Sequence, residues 1–402
     1  MEIGIAIFAY CRDEHLNKVL CGLKKNKEVD KIYVFQDGLR DDACKEGWLR
    51  TSKVIESIDW CDVIYVKAER NYGLKNSIIK GIKYVLEDNE AVIIIEDDCV
   101  PMPSFITYMR QGLEKYKNDT RVFHLNGYAR PFQLEKDDTD VYFNEKMGCW
   151  GWGTWKNRWE KFDCQKDYLS LLHTDVEWSV RTAAWSGYSM EAILSDSVEG
   201  KNDTWDVWWA LNIMENHGLC INPYESLIDN IGFDGGGTNC RSKSNAYKSE
   251  LNEKIVEDFV FPKEVKVRES VLMSFAEHGW GSYTALKTMY MSGEISAECA
   301  DPNWNDCQEQ IVIYGLGNGF HTYEKELNCK YKIIAFSDSN KKGLYAGLHI
   351  IPPNKIRDIL EGENAKLVIS LLDEKVSARI RDNLIEKYEI DQEKVLILRD
   401  AL

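Results

Sequence analysis

The residues best placed to do chemistry are three consecutive acids, Glu96-Asp97-Asp98, which end an uninterrupted apolar run, Val92-Ile93-Ile94-Ile95. Three carboxylates closing such a strand must lie at its solvent-facing end and need a counter-ion there. Alternation along a strand places Glu96 and Asp98 on one face and Asp97 on the other. An acid-x-acid pair on one face suits a hard divalent cation shared with phosphate oxygens. From the triplet alone, an acidic turn that merely caps a helix starting near Pro103-Ser104 is an equally open reading.

The elements that would position this triplet follow a β-α rhythm. Ile3 to Tyr10, Lys31 to Phe35, Val63 to Lys67 and Ala91 to Ile95 read as strands, separated by helical patterns at Glu14 to Lys24, Leu49 to Ser57 and Leu74 to Glu87. Such alternation predicts an α/β fold with a mainly parallel sheet, whose ligands bind beyond the carboxyl ends of the strands. The chain of 402 residues has room for two or three domains. Its formal charge of −16 excludes a surface built to hold DNA or RNA. No apolar run approaches the roughly 20 residues of a membrane span, and Met1 to Tyr10 lacks the basic flank of a signal peptide. The 12 cysteines show no C-x-x-C spacing, which points to reduced thiols and a cytoplasmic setting. The 7 histidines show no zinc spacing.

Four short segments taken in order carry a resemblance: Tyr10-Cys11-Arg12, Gln36-Asp37-Gly38, Asn71-Tyr72-Gly73-Leu74-Lys75-Asn76 and Glu96-Asp97-Asp98. Residues 1 to about 245 resemble GT-A fold glycosyltransferases, above all the metal-dependent inverting N-acetylglucosaminyltransferases and related bacterial family 2-like enzymes. The resemblance implies a mixed nucleotide-sugar-binding sheet flanked by helices, a UDP-sugar donor, and Mn²⁺ or Mg²⁺ as cofactor. Arg12 and Asp37 would border the base and ribose, where a carboxylate can accept an imide N–H. Asn71 and Lys75 would face the donor phosphates at the start of a helix. Glu96 and Asp97 would line the donor site, Asp97 bonding to the ribose or sugar, and Asp98 would be the direct metal ligand. In many relatives a later histidine completes the site. Here Asp234 or Asn239 stands in that region, within the glycine-rich run Asn230 to Cys240, read as a loop able to close over a nucleotide.

Inverting transfer also needs a carboxylate that removes the acceptor proton. The resemblance points to Asp206, in Asn202-Asp203-Thr204-Trp205-Asp206, where Asp203 or Thr204 would cap a helix whose dipole keeps Asp206 ionised. Asp203 is the reserve, and Glu199 a weaker one. Nine of the 13 tryptophans fall between Trp150 and Trp209, a segment expected to face the acceptor. In Gly148-Cys149-Trp150-Gly151-Trp152-Gly153-Thr154-Trp155 the glycines predict a tight loop. Trp150 or Trp152 is expected to touch a sugar through its ring face, while Trp155 and Trp159 stay in the core.

Three domains are expected: a transferase domain over 1–260, a helical connector over 261–308 and a small Rossmann-like α/β domain over 309–402. The last opens with Gln310 to Tyr314 and a glycine turn, Gly315-Leu316-Gly317-Asn318-Gly319-Phe320. Its third glycine is misplaced for the dinucleotide fingerprint, although Asp338 lies near the distance of a ribose-binding acid. A structural, partner-binding or dimerising role is the preferred reading of that domain. The expected activity is transfer of a sugar, with N-acetylglucosamine as a candidate, to a hydroxyl on a protein or glycan. An NAD(H)-binding oxidoreductase, a sugar-nucleotide pyrophosphorylase and a non-catalytic carbohydrate-binding scaffold are the alternatives.

Overall fold

The computed structural model describes residues 1–234, 246–305 and 309–402. Two compact units emerge, one of Met1–Lys166 with Asp196–Arg268, the other of Asp167–Ser195 with Glu269–Leu402. These units cut across the linear boundaries at 260 and 308. The reason lies in the helices Tyr168–Thr174 and Val176–Ser186, whose apolar faces belong to the second unit. Trp185 meets Phe275 edge-on at 5.3 Å, and Ser179 Oγ accepts the Gly347 N–H at 3.1 Å. Trp178 and Trp185 therefore belong to the second unit.

The strands of the first unit are β1 (Ile3–Ala9), β2 (Lys31–Gln36), β3 (Asp62–Lys67), β4 (Ala91–Glu96), β5 (Cys99–Pro101), β6 (Val122–Asn126), β7 (Val141–Asn144), β8 (Trp152–Trp155), β9 (Leu219–Pro223) and β10 (Ile228–Asn230). Eight of them form one mixed sheet in the order β3-β2-β1-β4-β8-β6-β9-β7, and β5 pairs with β10 in a two-stranded ribbon. The first four strands are parallel, joined by helices α1 (Asp13–Leu23), α2 (Lys45–Glu56) and α3 (Leu74–Asp88). Beyond β4 the sense reverses, since β8 is antiparallel to both β4 and β6.

β4 is central and buried on both faces, with Ala91 to Ile95 fully inaccessible. Each buried isoleucine of this kind contributes about 1.5–3 kcal/mol, enough to hold an acidic strand end in a fixed place. The register pairs Phe8 with Glu96, so Arg12, just past the end of β1, lies beside the acids. The predicted β-α rhythm of the first hundred residues is the observed one.

The second unit contains a six-stranded sheet in the order β13-β14-β12-β11-β15-β16, where β11 is Gln310–Tyr314, β12 Lys332–Ser337, β13 Gly343–Tyr345, β14 Leu348–Ile351, β15 Lys366–Ile369 and β16 Val395–Ile397. All neighbours are parallel except the β13-β14 hairpin. Asp338, after β12, is occupied internally. Its carboxylate accepts the backbone N–H groups of Leu316, Asn340 and Lys341 at 3.1, 2.9 and 3.3 Å. Among the described residues no helix is long and apolar enough to cross a membrane, and no disulfide joins the cysteines.

Candidate active site

The acidic end of β4 is organised around Arg12. One guanidinium nitrogen, Nη2, bonds Asp97 Oδ1 and also reaches Asp98 Oδ2 at 2.9 Å. Asp97 is the deeper partner, with a side chain only 7% exposed against 17% for Asp98. The Tyr10 N–H also donates to Asp97, at 3.4 Å. Burial raises the Asp97 carboxyl above its ordinary range, and Arg12 opposes that rise. Glu96 is pushed well up, first by burial and then by the charges of Asp98 and Asp97, with a further contribution from Asp206. Trp205, next to Asp206, stacks on Trp152 of β8, which pairs with Ile94 of β4, so the start of the Asp206 helix packs beside the strand that carries the acids.

Asp206 is the first residue of the helix Asp206–Glu215, and the preceding Trp205 offers no side-chain cap. The capping expected from Asp203 or Thr204 takes another form. Asp206 Oδ1 accepts its neighbour's N–H, Val207 N at 2.8 Å, and the Thr204 hydroxyl donates to the same oxygen. Thr204 fixes the carboxylate rather than the helix end. Asp203 lies elsewhere, its Oδ2 against Gly73 at the start of α3, where a Cβ would come within 2.4 Å. Glu199 is exposed and pairs with Lys201 at 2.6 Å.

The structure corrects the role read for Asp37. Its Oδ1 accepts the N–H groups of Gly38 and Tyr72 at 2.8 and 2.9 Å, and its Oδ2 those of the Asn71 side chain and Gly73 at 2.9 and 3.0 Å. Four donors fill the four lone-pair positions of a carboxylate, leaving none for a base imide. Asp37 instead builds the turn that opens α3. Asn71 belongs to that turn too, since its amide donates to Asp37 and to Gly38 O at 2.8 Å. Gly38 is required there because a Cβ would sit 2.1 Å from the Arg70 carbonyl carbon. Lys75 lies with its ammonium 4.6 Å from the Trp208 ring centre, an arrangement that holds the cation near the 203–208 segment.

The tryptophan-rich region is chiefly a core. Trp152 stacks on Trp205 at 5.0 Å and on His124 at 4.9 Å, and Trp159 packs on Trp209 at 5.0 Å. All four indoles are buried, as is Trp155, so Trp152 is removed from the ligand-touching pair. Trp150 remains half-buried. It meets Tyr128, Phe233 and Tyr247 edge-on, with centroid distances of 4.5, 5.7 and 5.7 Å. Its neighbour Cys149 has its thiol pushed well up, by burial first, and because β8 pairs antiparallel with β4, Trp152 opposite Ile94, the loop before β8 lies beside the acidic end of β4.

Several residues that matter here gave little sign in the sequence. Gly232, after β10, approaches Asp98 so closely that a Cβ would lie 2.4 Å from Oδ2. Asp234 pairs with His15 on α1 at 3.1 Å, while Asn239 and the glycines around it lie outside the described residues. Beneath the Gly148 loop runs a buried polar chain. The Trp209 indole N–H, which can only donate, bonds His124 Nδ1 at 3.1 Å, so Nε2 carries the proton and faces Asn126 Oδ1 and Gly148 O at 2.8 and 3.0 Å. Asn126 Nδ2 donates to Asn222, whose Nδ2 donates to Asn144 Oδ1 at 2.8 Å. Asn126 and Asn144 each close a buried strand, the one signal that could have revealed them.

Among the described residues no three His, Cys, Asp or Glu side chains are grouped to hold a metal ion by themselves. Asp98 supplies a hard oxygen already occupied by a cation, the guanidinium of Arg12. That donor fits a divalent ion whose remaining ligands come from a diphosphate and water.

Comparison with known proteins finds a family match over part of the chain. Residues 5–155 match the family Glycosyl transferase family 2. The stretch from residue 5 to residue 155, less than half of the chain, is therefore similar to that family. No curated protein matches the chain. Solved structures resemble it only in part. A mannosyltransferase from Pyrobaculum calidifontis, in complex with GDP-Man and Mn²⁺, is 9% identical, covers 54% of this chain and 69% of its own, and has a TM-score of 0.33. Staphylococcus aureus TarS residues 1–349 is 12% identical over 57% of this chain and 59% of its own, with a TM-score of 0.35. A Leptospira borgpetersenii cytidylyltransferase is 18% identical over 42% and 67%, with a TM-score of 0.29.

Proposed function

We propose that the enzyme moves a sugar from a UDP-sugar to a hydroxyl of a protein or glycan, with inversion at the sugar carbon. N-acetylglucosamine is the first sugar to test, on the resemblance of the four N-terminal segments. The observation that supports this reading is the stacking of Trp205, the residue before Asp206, on Trp152 of β8, which pairs with Ile94 of β4 and so brings the start of the Asp206 helix to the strand that carries the acids. Asp206, oriented by Thr204 and its own helix N-terminus, accepts the proton of the acceptor hydroxyl. Asp98 would hold Mn²⁺ or Mg²⁺, which when bound offsets the charge of the departing diphosphate. Arg12 and Asp97 orient the donor beside it, and Trp150 offers an indole face at the rim. The N-terminal turn Ala9-Tyr10-Cys11-Arg12-Asp13-Glu14 lacks the basic, glycine-rich loop a pyrophosphorylase would use.

A panel of UDP-, GDP- and CMP-sugars, each with Mn²⁺, Mg²⁺ or EDTA, tests the reading through release of free nucleotide. Release from a UDP-sugar, abolished by EDTA and restored by metal, is expected. Absence of release from every donor with either metal would refute it.

A further inference from the structure

The Arg12 ion pairs have a bearing on how donor and cation arrive. We propose that Arg12 is an exchangeable counter-ion, which yields Asp98 only when a divalent cation and a nucleoside diphosphate bind together, and so couples the two ligands. This inference rests on the nucleotide-sugar reading above.

The oxygen that Arg12 holds, Asp98 Oδ2, is also the one against which Gly232 packs. Asp98 Oδ1 turns toward the Cys99 thiol, 3.5 Å away. A cation approaching Asp98 therefore meets a guanidinium already seated on the available oxygen. The two halves of the Arg12 bridge are unequal. Asp97 is the more deeply buried and is held additionally by the Tyr10 N–H, so that half persists. Asp98 is the more exposed and exchanges.

A cation alone must displace one positive charge from a partly buried carboxylate and leave the guanidinium short of a partner, which is unfavourable. A diphosphate arriving with the cation gives the guanidinium new oxygens of matching geometry. Each ligand thus removes the obstacle to the other, and by linkage the coupling is the same in both directions. Arg12 is here a positioning residue whose signature is in binding equilibria and not only in turnover.

Electron paramagnetic resonance of free Mn²⁺, with correction for Mn²⁺ bound by the nucleotide itself, gives the metal affinity of the full chain. Saturating UDP, or GDP in a parallel arm, is expected to tighten Mn²⁺ binding by at least about tenfold, the size of a typical coupling. Arg12→Gln is expected to bind Mn²⁺ alone about tenfold tighter than the wild type, and to lose most of the gain from nucleotide. Circular dichroism checks its folding. If it does not fold, Arg12→Lys, which keeps the charge but lacks the planar guanidinium that takes phosphate oxygens two at a time, is expected to show weakened coupling. Equal Mn²⁺ affinity of the wild type with and without bound nucleotide would overturn the inference while leaving the functional reading intact. So would an Arg12→Gln protein that folds and binds Mn²⁺ no tighter. Failure of UDP and GDP to bind even with Mn²⁺ present would overturn both.

Discussion

Gly232→Ala separates the geometry of the site from the stability of the fold. The backbone at 232 is not in the left-handed region, so alanine is conformationally admissible there. Its methyl carbon, however, would lie 2.4 Å from Asp98 Oδ2 and 3.1 Å from Asn230 Oδ1. Ordinary contact begins at about 3.5 Å, so the Asp98 carboxylate must withdraw by about 1 Å. A carboxylate is the mobile end of a side chain, and its rotation costs the fold little, less than about 1 kcal/mol against the 1–3 of a rigid overlap. The same displacement at a catalytic ligand costs about 10²-fold, or about 2.7 kcal/mol of transition-state stabilisation. The assay is metal-dependent nucleotide release, with thermal unfolding measured in parallel. A drop of about a hundredfold in kcat/KM, a higher metal requirement and a nearly unchanged Tm are expected. Gly38→Ala provides the contrast, because its methyl would overlap the backbone of Arg70, which cannot turn aside. That variant is expected to lose about 1–3 kcal/mol of stability. Gly232→Ala activity within about threefold of the wild type, with the same metal requirement, would refute the placement of Asp98 at the reacting centre.

Other variants address the base, the core and the rim. Asp206→Asn keeps the shape of the Thr204 contact but not the basicity, and should lower kcat by about 10²–10⁴-fold with little change in donor KM, measured by steady-state kinetics. His124 is held neutral, since burial pulls its pKa down to about 4. The unfolded chain takes up that proton below about 6.5, so the native state should lose about 1.4 kcal/mol per pH unit as pH falls from about 6.5 towards 4. Chemical denaturation at pH 7 and pH 5 should show this slope reduced in His124→Gln. Trp152→Ala should cost about 3–5 kcal/mol of stability, whereas Trp150→Ala should cost less, because its ring is only partly buried, and should raise a substrate KM.

The N-terminal half of the sheet was legible because its strands are continuous apolar runs punctuated by helices, and Glu96-Asp97-Asp98 could be placed at a strand end from Val92 to Ile95 alone. The link between that end and Asp206 came from the family resemblance, since no local pattern reports a contact across more than a hundred residues. Asp37 misled because an acid after a strand looks the same whether it faces a ligand or captures the N–H groups of a later turn. Only the geometry of Asn71, Tyr72 and Gly73 distinguishes the two. The tryptophans misled for a related reason. A ring that could stack on a sugar can equally stack on another ring, and Trp152 is surrounded by Trp205, Trp209 and His124. The helices at 167–195 could not be assigned to the second unit from sequence, because their partners, such as Phe275, lie about a hundred residues further on.

Nucleotide-sugar transfer at the end of β4 depends on Asp98. Release of nucleotide from the preferred donor, compared between the wild type and Asp98→Asn at saturating Mn²⁺, tests it most directly. Metal-dependent release by the wild type and a loss of at least about a hundredfold in the variant are expected, with both proteins folded. Equal release by both proteins would contradict it.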